Sequence, residues 1–172
     1  MCKIISSVVD ELRFQDMIIS DKNKYIMDNE LFFEQVRQLL DNNKTVKIPV
    51  TGTSMLPFLK PADHVVLQKV FGPDLRCGNI VLATWNNTYI LHRIVWKEVG
   101  GKRIRLAGDG NLVQVENICL SDILAVAGMA CRGEKKINID STLYTYMGLM
   151  WYRLRFIRRV CSKIRKLLKE RK

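Results

Sequence analysis

The hydrophobic period of the chain changes twice. Between residues 28 and 41 apolar side chains recur at helical spacing, with Phe32, Val36, Leu39 and Leu40 on one stripe. Asp28 or Asn29 supplies a cap and Glu30 an acidic first turn, so the spacing predicts a helix ending at "DNNK", residues 41–44. At "TVKIPV" the period becomes two, with Val46, Ile48 and Val50 on one side, as in a half-buried strand. Further runs at 64–70, 79–84, 89–96, 103–107 and 123–131 are separated by clusters of Gly, Pro, Asn and Asp. These runs predict a mainly β domain of about six or seven strands. Helical spacing returns over 143–172, where Leu154, Ile157, Cys161, Ile164 and Leu168 share a face and Arg and Lys cover the rest.

Three segments follow from this pattern. Residues 1–27 are weakly patterned, and Met27 is an alternative start to Met1. Residues 28–140 form the β-rich domain with its leading helix, and residues 141–172 form a basic amphipathic tail.

Composition adds mainly a charge asymmetry. The net charge is +11, yet residues 153–172 alone hold ten Lys and Arg against Glu170, which leaves the remainder almost neutral. The basicity therefore describes the tail and not the domain. Five cysteines (Cys2, Cys77, Cys119, Cys131 and Cys161) form an odd set without a CxxC pair, as expected of free thiols in a reducing compartment. With only His64 and His92 to join them, neither a metal site nor a cofactor is expected. No stretch approaches the ~20 apolar residues of a spanning helix. Asp10, Glu11 and Arg13 interrupt the first 25 residues, unlike a signal peptide. The expected location is cytoplasmic.

The candidate chemistry centres on "VTGTSMLPFLKP", residues 50–61. A serine in such a turn ordinarily bonds its own backbone. As a nucleophile, Ser54 needs a base within hydrogen-bond reach. His64 begins a strand only ten residues on, whereas His92 lies within "YILHRIVW", where alternation groups it with Ile90, Ile94 and Trp96. A histidine there is ordinarily a core or edge residue bonded to a carbonyl. Asp109, in "LAGDGN", reads either as part of a tight Asp-Gly turn or as the carboxylate that orients an imidazole.

Taken in order, "SMLPFLKPADHVVL", "GNIVLA", "LHRI" and "GDGN" resemble the signal peptidase I superfamily, which includes the self-cleaving SOS repressors. The resemblance covers roughly residues 45–130, and Ser-Met-x-Pro is its most discriminating element. It implies that fold, with Ser54 as nucleophile, His92 as the general base of the histidine-type (endoplasmic-reticulum-like) branch, and Asp109 as third member. Met55 and Pro57 would then line the substrate site. The chain departs from the pattern in having Gly78-Asn79 where the family has Gly-Asp. It also lacks a visible spanning helix before the serine, and a helix-turn-helix module with a cleavable linker.

The expected activity is a serine endopeptidase that cleaves a leader or precursor peptide. The alternatives are a non-catalytic peptide-binding module and a DNA-linked repressor-type regulator on the same fold. The tail reads either as a solvated helix packed on the domain or as a helix on an anionic membrane surface, peripheral at the inner face of the cytoplasmic membrane. Nucleic acid is not an expected partner, because the aromatic residues of 143–172 cluster at one end and do not interleave with the charges.

Overall fold

The computed structural model describes residues 25–70, 74–100 and 102–170. The chain divides into two compact units, residues 1–38 and 39–172. Residues 1–24, expected to be weakly structured, lie outside the described residues, and the basic tail belongs to the same unit as the strands.

The leading helix, α1 (Tyr25–Asp41), starts before the Asp28 or Asn29 cap expected for it. Val36 and Leu40 on its predicted stripe are buried. The period-two runs become β1 (Val46–Pro49), β2 (His64–Lys69), β3 (Ile80–Trp85), β4 (Thr88–Lys97), β5 (Arg103–Ala107) and β7 (Ile123–Arg132). Two strands escape the pattern: β6 (Glu116–Cys119) and β8 (Lys135–Asn138).

Among the described residues, all eight strands join one open antiparallel sheet in the order β1-β2-β7-β3-β4-β5-β6, with β8 beside the far half of β7. A strand near the middle of a covered sheet is apolar on both faces. The continuous run Ile80, Val81, Leu82 and Ala83 of β3 is accordingly buried throughout. Asn86 and Asn87, both with positive φ, close the β3–β4 hairpin between Trp85 and Thr88. Asparagine tolerates that conformation, and such two-residue turns match the twist of paired strands. Val81, Ala83, Ile94, Ile104, Leu106 and Ile118 pack into one core on a single face of β3–β6.

Two helices follow the sheet, α2 (Thr142–Arg153) and α3 (Arg155–Glu170). Ser141 caps α2 by accepting from the Tyr144 N–H. The helix lies close to the opposite face of the sheet. Tyr144 donates its hydroxyl to the Phe58 carbonyl at 3.1 Å, and Gly148 abuts the Arg93 guanidinium. Burial pushes the Tyr144 phenol up to about 12, so it remains a neutral donor.

Asn79, the departure from Gly-Asp, is buried and bridges this region. Its Oδ1 accepts from the Arg76 N–H and its Nδ2 donates to Asp140 Oδ1 at 2.5 Å. An aspartate here would set two carboxylates against each other. The amide is the residue that fits.

Candidate active site

Ser54 sits, half-buried, in a tight turn tied by bonds from Leu56 N–H to Thr53 O and from Leu59 N–H to Met55 O. Met55 points inward and is 1 % exposed, while Pro57 is exposed. The expectation that Met55 contacts substrate is therefore corrected. Its unbranched side chain fills the core under the turn, as methionine readily does.

The Gly108–Asp109–Gly110 loop meets this turn directly. Gly110 N–H donates to Ser54 O at 2.7 Å. A Cβ built on Gly108 would lie 2.6 Å from Ser54 O and 3.0 Å from His92 Nε2. One on Gly110 would lie 2.9 Å from Thr53 O. Close approach explains both glycines, since neither has the positive φ of a tight hairpin turn. Through Gly108 the Ser54 backbone and the His92 ring converge on one small volume. His64, the other candidate base, begins β2 and pairs with Pro49 and Cys131, away from this loop.

His92 is 5 % exposed, and its Nδ1 lies 3.1 Å from Glu116 Oε2. Glu116 is fully buried, and its second oxygen, Oε1, has no hydrogen-bond partner among the described residues. The contact joins Nδ1 to a carboxylate oxygen, while Nε2, on the other side of the ring, faces the Gly108 backbone that also meets Ser54 O.

Asp109 does something else. Its Oδ1 accepts from Arg93 Nε at 2.8 Å and its Oδ2 from Arg93 Nη2 at 2.7 Å. Nη1 of the same guanidinium donates to Gly78 O, and the cation stacks against the Phe58 and Tyr144 rings at 5.1 and 5.7 Å. Burial pushes the Asp109 carboxyl up, and the two bonds from Arg93 pull it down. Burial is the larger effect, so the carboxyl stands above its ordinary value even with two fork-geometry bonds from Arg93. The expectation that Asp109 orients the imidazole is corrected in favour of Glu116.

Strand register gives the reason. Consecutive residues of a strand point to opposite faces. In β4 His92 shares its face with Ile94, and Arg93 takes the other. Arg93 pairs with Ala107 and Ile94 with Leu106, so the face of Arg93 continues into Ala107 and then Asp109. Leu106 pairs in turn with Glu116 on β6, which brings Glu116 to the face of His92. The sequence hides this residue because a glutamate occupies an inward position of β6. Ile118, two residues on and also buried, is the one apolar signal of that alternation.

The helices close the far side of the loop. Trp151 Nε1 and Arg158 Nη2 both donate to Asp109 O, at 3.0 and 3.1 Å, and Arg159 Nε donates to Leu112 O. Tail residues thus hold the loop that touches Ser54.

No protein-family model and no curated protein sequence matches the chain.

Proposed function

We propose that the protein is a serine endopeptidase in which Ser54 is the nucleophile, His92 the general base and Glu116 the carboxylate that orients His92. One observation carries this reading. The two nitrogens of a single buried imidazole are split between a buried carboxylate at Nδ1 and the Ser54 turn on the Nε2 side. That polarity suits proton transfer from a serine hydroxyl.

In this mechanism the Ser54 hydroxyl attacks a peptide carbonyl while His92 Nε2 takes its proton. The imidazolium, steadied by Glu116, protonates the leaving amine as the C–N bond breaks. Water, deprotonated by His92, then attacks the Ser54 ester and releases the acid. A backbone N–H at the Ser54 turn is suited to bind the oxyanion. The resemblance to the signal peptidase I superfamily makes a leader or precursor peptide the substrate class.

The test is a serine-directed fluorophosphonate probe with intact-mass readout, paired with comparison of the peptides of cells carrying wild type or Ser54→Ala. One adduct mapping to Ser54, with precursor peptides accumulating in the Ser54→Ala cells, is the expected result. Labelling unaffected by Ser54→Ala, or identical peptide profiles, would overturn the reading.

A further inference from the structure

Helix α3 turns polar groups toward the protein and apolar ones outward. A helix packed on a domain ordinarily does the reverse. On α3, Arg158 and Arg159 are half-buried, reaching Asp109 O and Leu112 O, while Phe156 and Ile157 are 70 % and 57 % exposed. Ile164 and Leu168 extend the exposed stripe by two further turns. On α2, Leu143 is exposed at 70 %, together with Tyr146 and Met147. Exposed apolar side chains in this number mark an interaction site.

Charge selects the occupant. The segment carrying this surface holds ten Lys and Arg against one Glu. Two copies brought face to face would oppose these like charges, whereas an anionic surface would be attracted to them. An apolar stripe with aromatic residues, bordered by cations, has the composition of a helix that lies in the headgroup region. No helix among the described residues is long and apolar enough to cross a bilayer.

We infer that α2 and α3 together form an interfacial lipid-binding surface for anionic membranes. The exposed apolar side chains enter the acyl boundary, and basic side chains not turned to the 108–112 loop, among them the exposed Arg153 and Lys163, contact headgroups. Because Trp151, Arg158 and Arg159 also hold the 108–112 loop, the Ser54 turn is carried at the lipid surface. Any substrate of that site is met beside the bilayer.

The test is co-sedimentation of the full-length chain with vesicles of phosphatidylcholine alone or mixed with phosphatidylglycerol. It needs no turnover, so its result is independent of the peptidase reading. The expected result is salt-sensitive binding to the mixed vesicles and binding roughly ten-fold or more weaker to neutral ones. Phe156→Glu with Ile157→Glu should weaken binding to the mixed vesicles by a similar factor while leaving the melting transition in place. Should that variant melt early, Leu143→Glu with Tyr146→Glu on α2 tests the same insertion at two other exposed positions. Equal binding of variant and wild type, absence of binding to the mixed vesicles, or a salt-resistant dimer dispersed by Ile157→Glu would each overturn the inference. The dimer would assign the face to a second copy of the chain.

Discussion

Arg93 and Asp109 form a two-bond ion pair within the helix-covered side of the sheet, with side chains 0 % and 1 % exposed. Removing one member of such a pair leaves the other charge buried and uncompensated, a cost of about 3–5 kcal/mol. Arg93→Met and Asp109→Asn should each lower stability on that scale in urea unfolding. The combined variant should be less destabilised than the two effects added. Additive losses would show that the two groups act independently.

Glu116 should behave differently from Asp109. Glu116→Gln keeps the side-chain shape but lets the amide face Nδ1, which favours the wrong tautomer. Loss of the orienting carboxylate in a serine triad lowers kcat by about 10⁴-fold, and a comparable loss is expected here. Ser54→Ala and His92→Ala should each abolish cleavage, and their combination should cost little more. His64→Ala should retain activity. A Glu116→Gln enzyme with wild-type kcat would remove Glu116 from the site.

Gly148 brings α2 against Arg93. A Cβ there would lie 2.2 Å from Arg93 Cζ and 2.4 Å from Nε. The guanidinium is pinned by Asp109 and by Gly78 O, so it has nowhere to retreat. Gly148→Ala, which raises helix propensity on an exposed helix, should here destabilise by about 1–3 kcal/mol, the range of core overpacking. Thermal unfolding decides it, and an unchanged or raised Tm would contradict the packing.

Acid stability should depend on Asp63. The Arg132 hydrogen bonds hold its carboxyl below the usual range, and its Oδ2 also accepts from the Lys60 N–H. The folded state then binds a proton less readily than the unfolded chain, whose aspartate titrates near about 4. The resulting stability is present above that value and disappears as pH falls through the lower folded pKa. Asp63→Asn should lower stability at neutral pH and flatten its decline below about pH 4. An equally steep decline in the variant would place the acid sensitivity elsewhere.

The same ties bear on the tail. Truncation after Asp140 removes Tyr144, Gly148 and Trp151, and with them the cover over Phe58 and Arg93 and one anchor of the Asp109 loop. The shortened chain should lose cooperative unfolding as well as any membrane contact. A truncated protein with a wild-type melting curve would make the tail an appendage.

Local periodicity by itself determined the mainly β class, six strands and both helical regions, because alternation and helical spacing follow from which side of an element meets the core. Ser54 and His92 came forward as candidates only through the ordered resemblance of their motifs, since periodicity alone left His64 beside His92 as a possible base. The partner of His92 depended on register. Glu116 and Asp109 are both acidic and both lie downstream of His92, and only the pairing of Ile94 with Leu106, and of Leu106 with Glu116, assigns them to opposite faces. β6 stayed hidden because its inward glutamate breaks the apolar alternation, and a buried carboxylate is tolerable only once a distant imidazole is beside it. The tail's amphipathicity was plain in its sequence, but which side faced the domain was not. Hydrogen bonds from Arg158 and Arg159 to the carbonyls of Asp109 and Leu112 decided that, turning these two cations inward and leaving the apolar stripe outside.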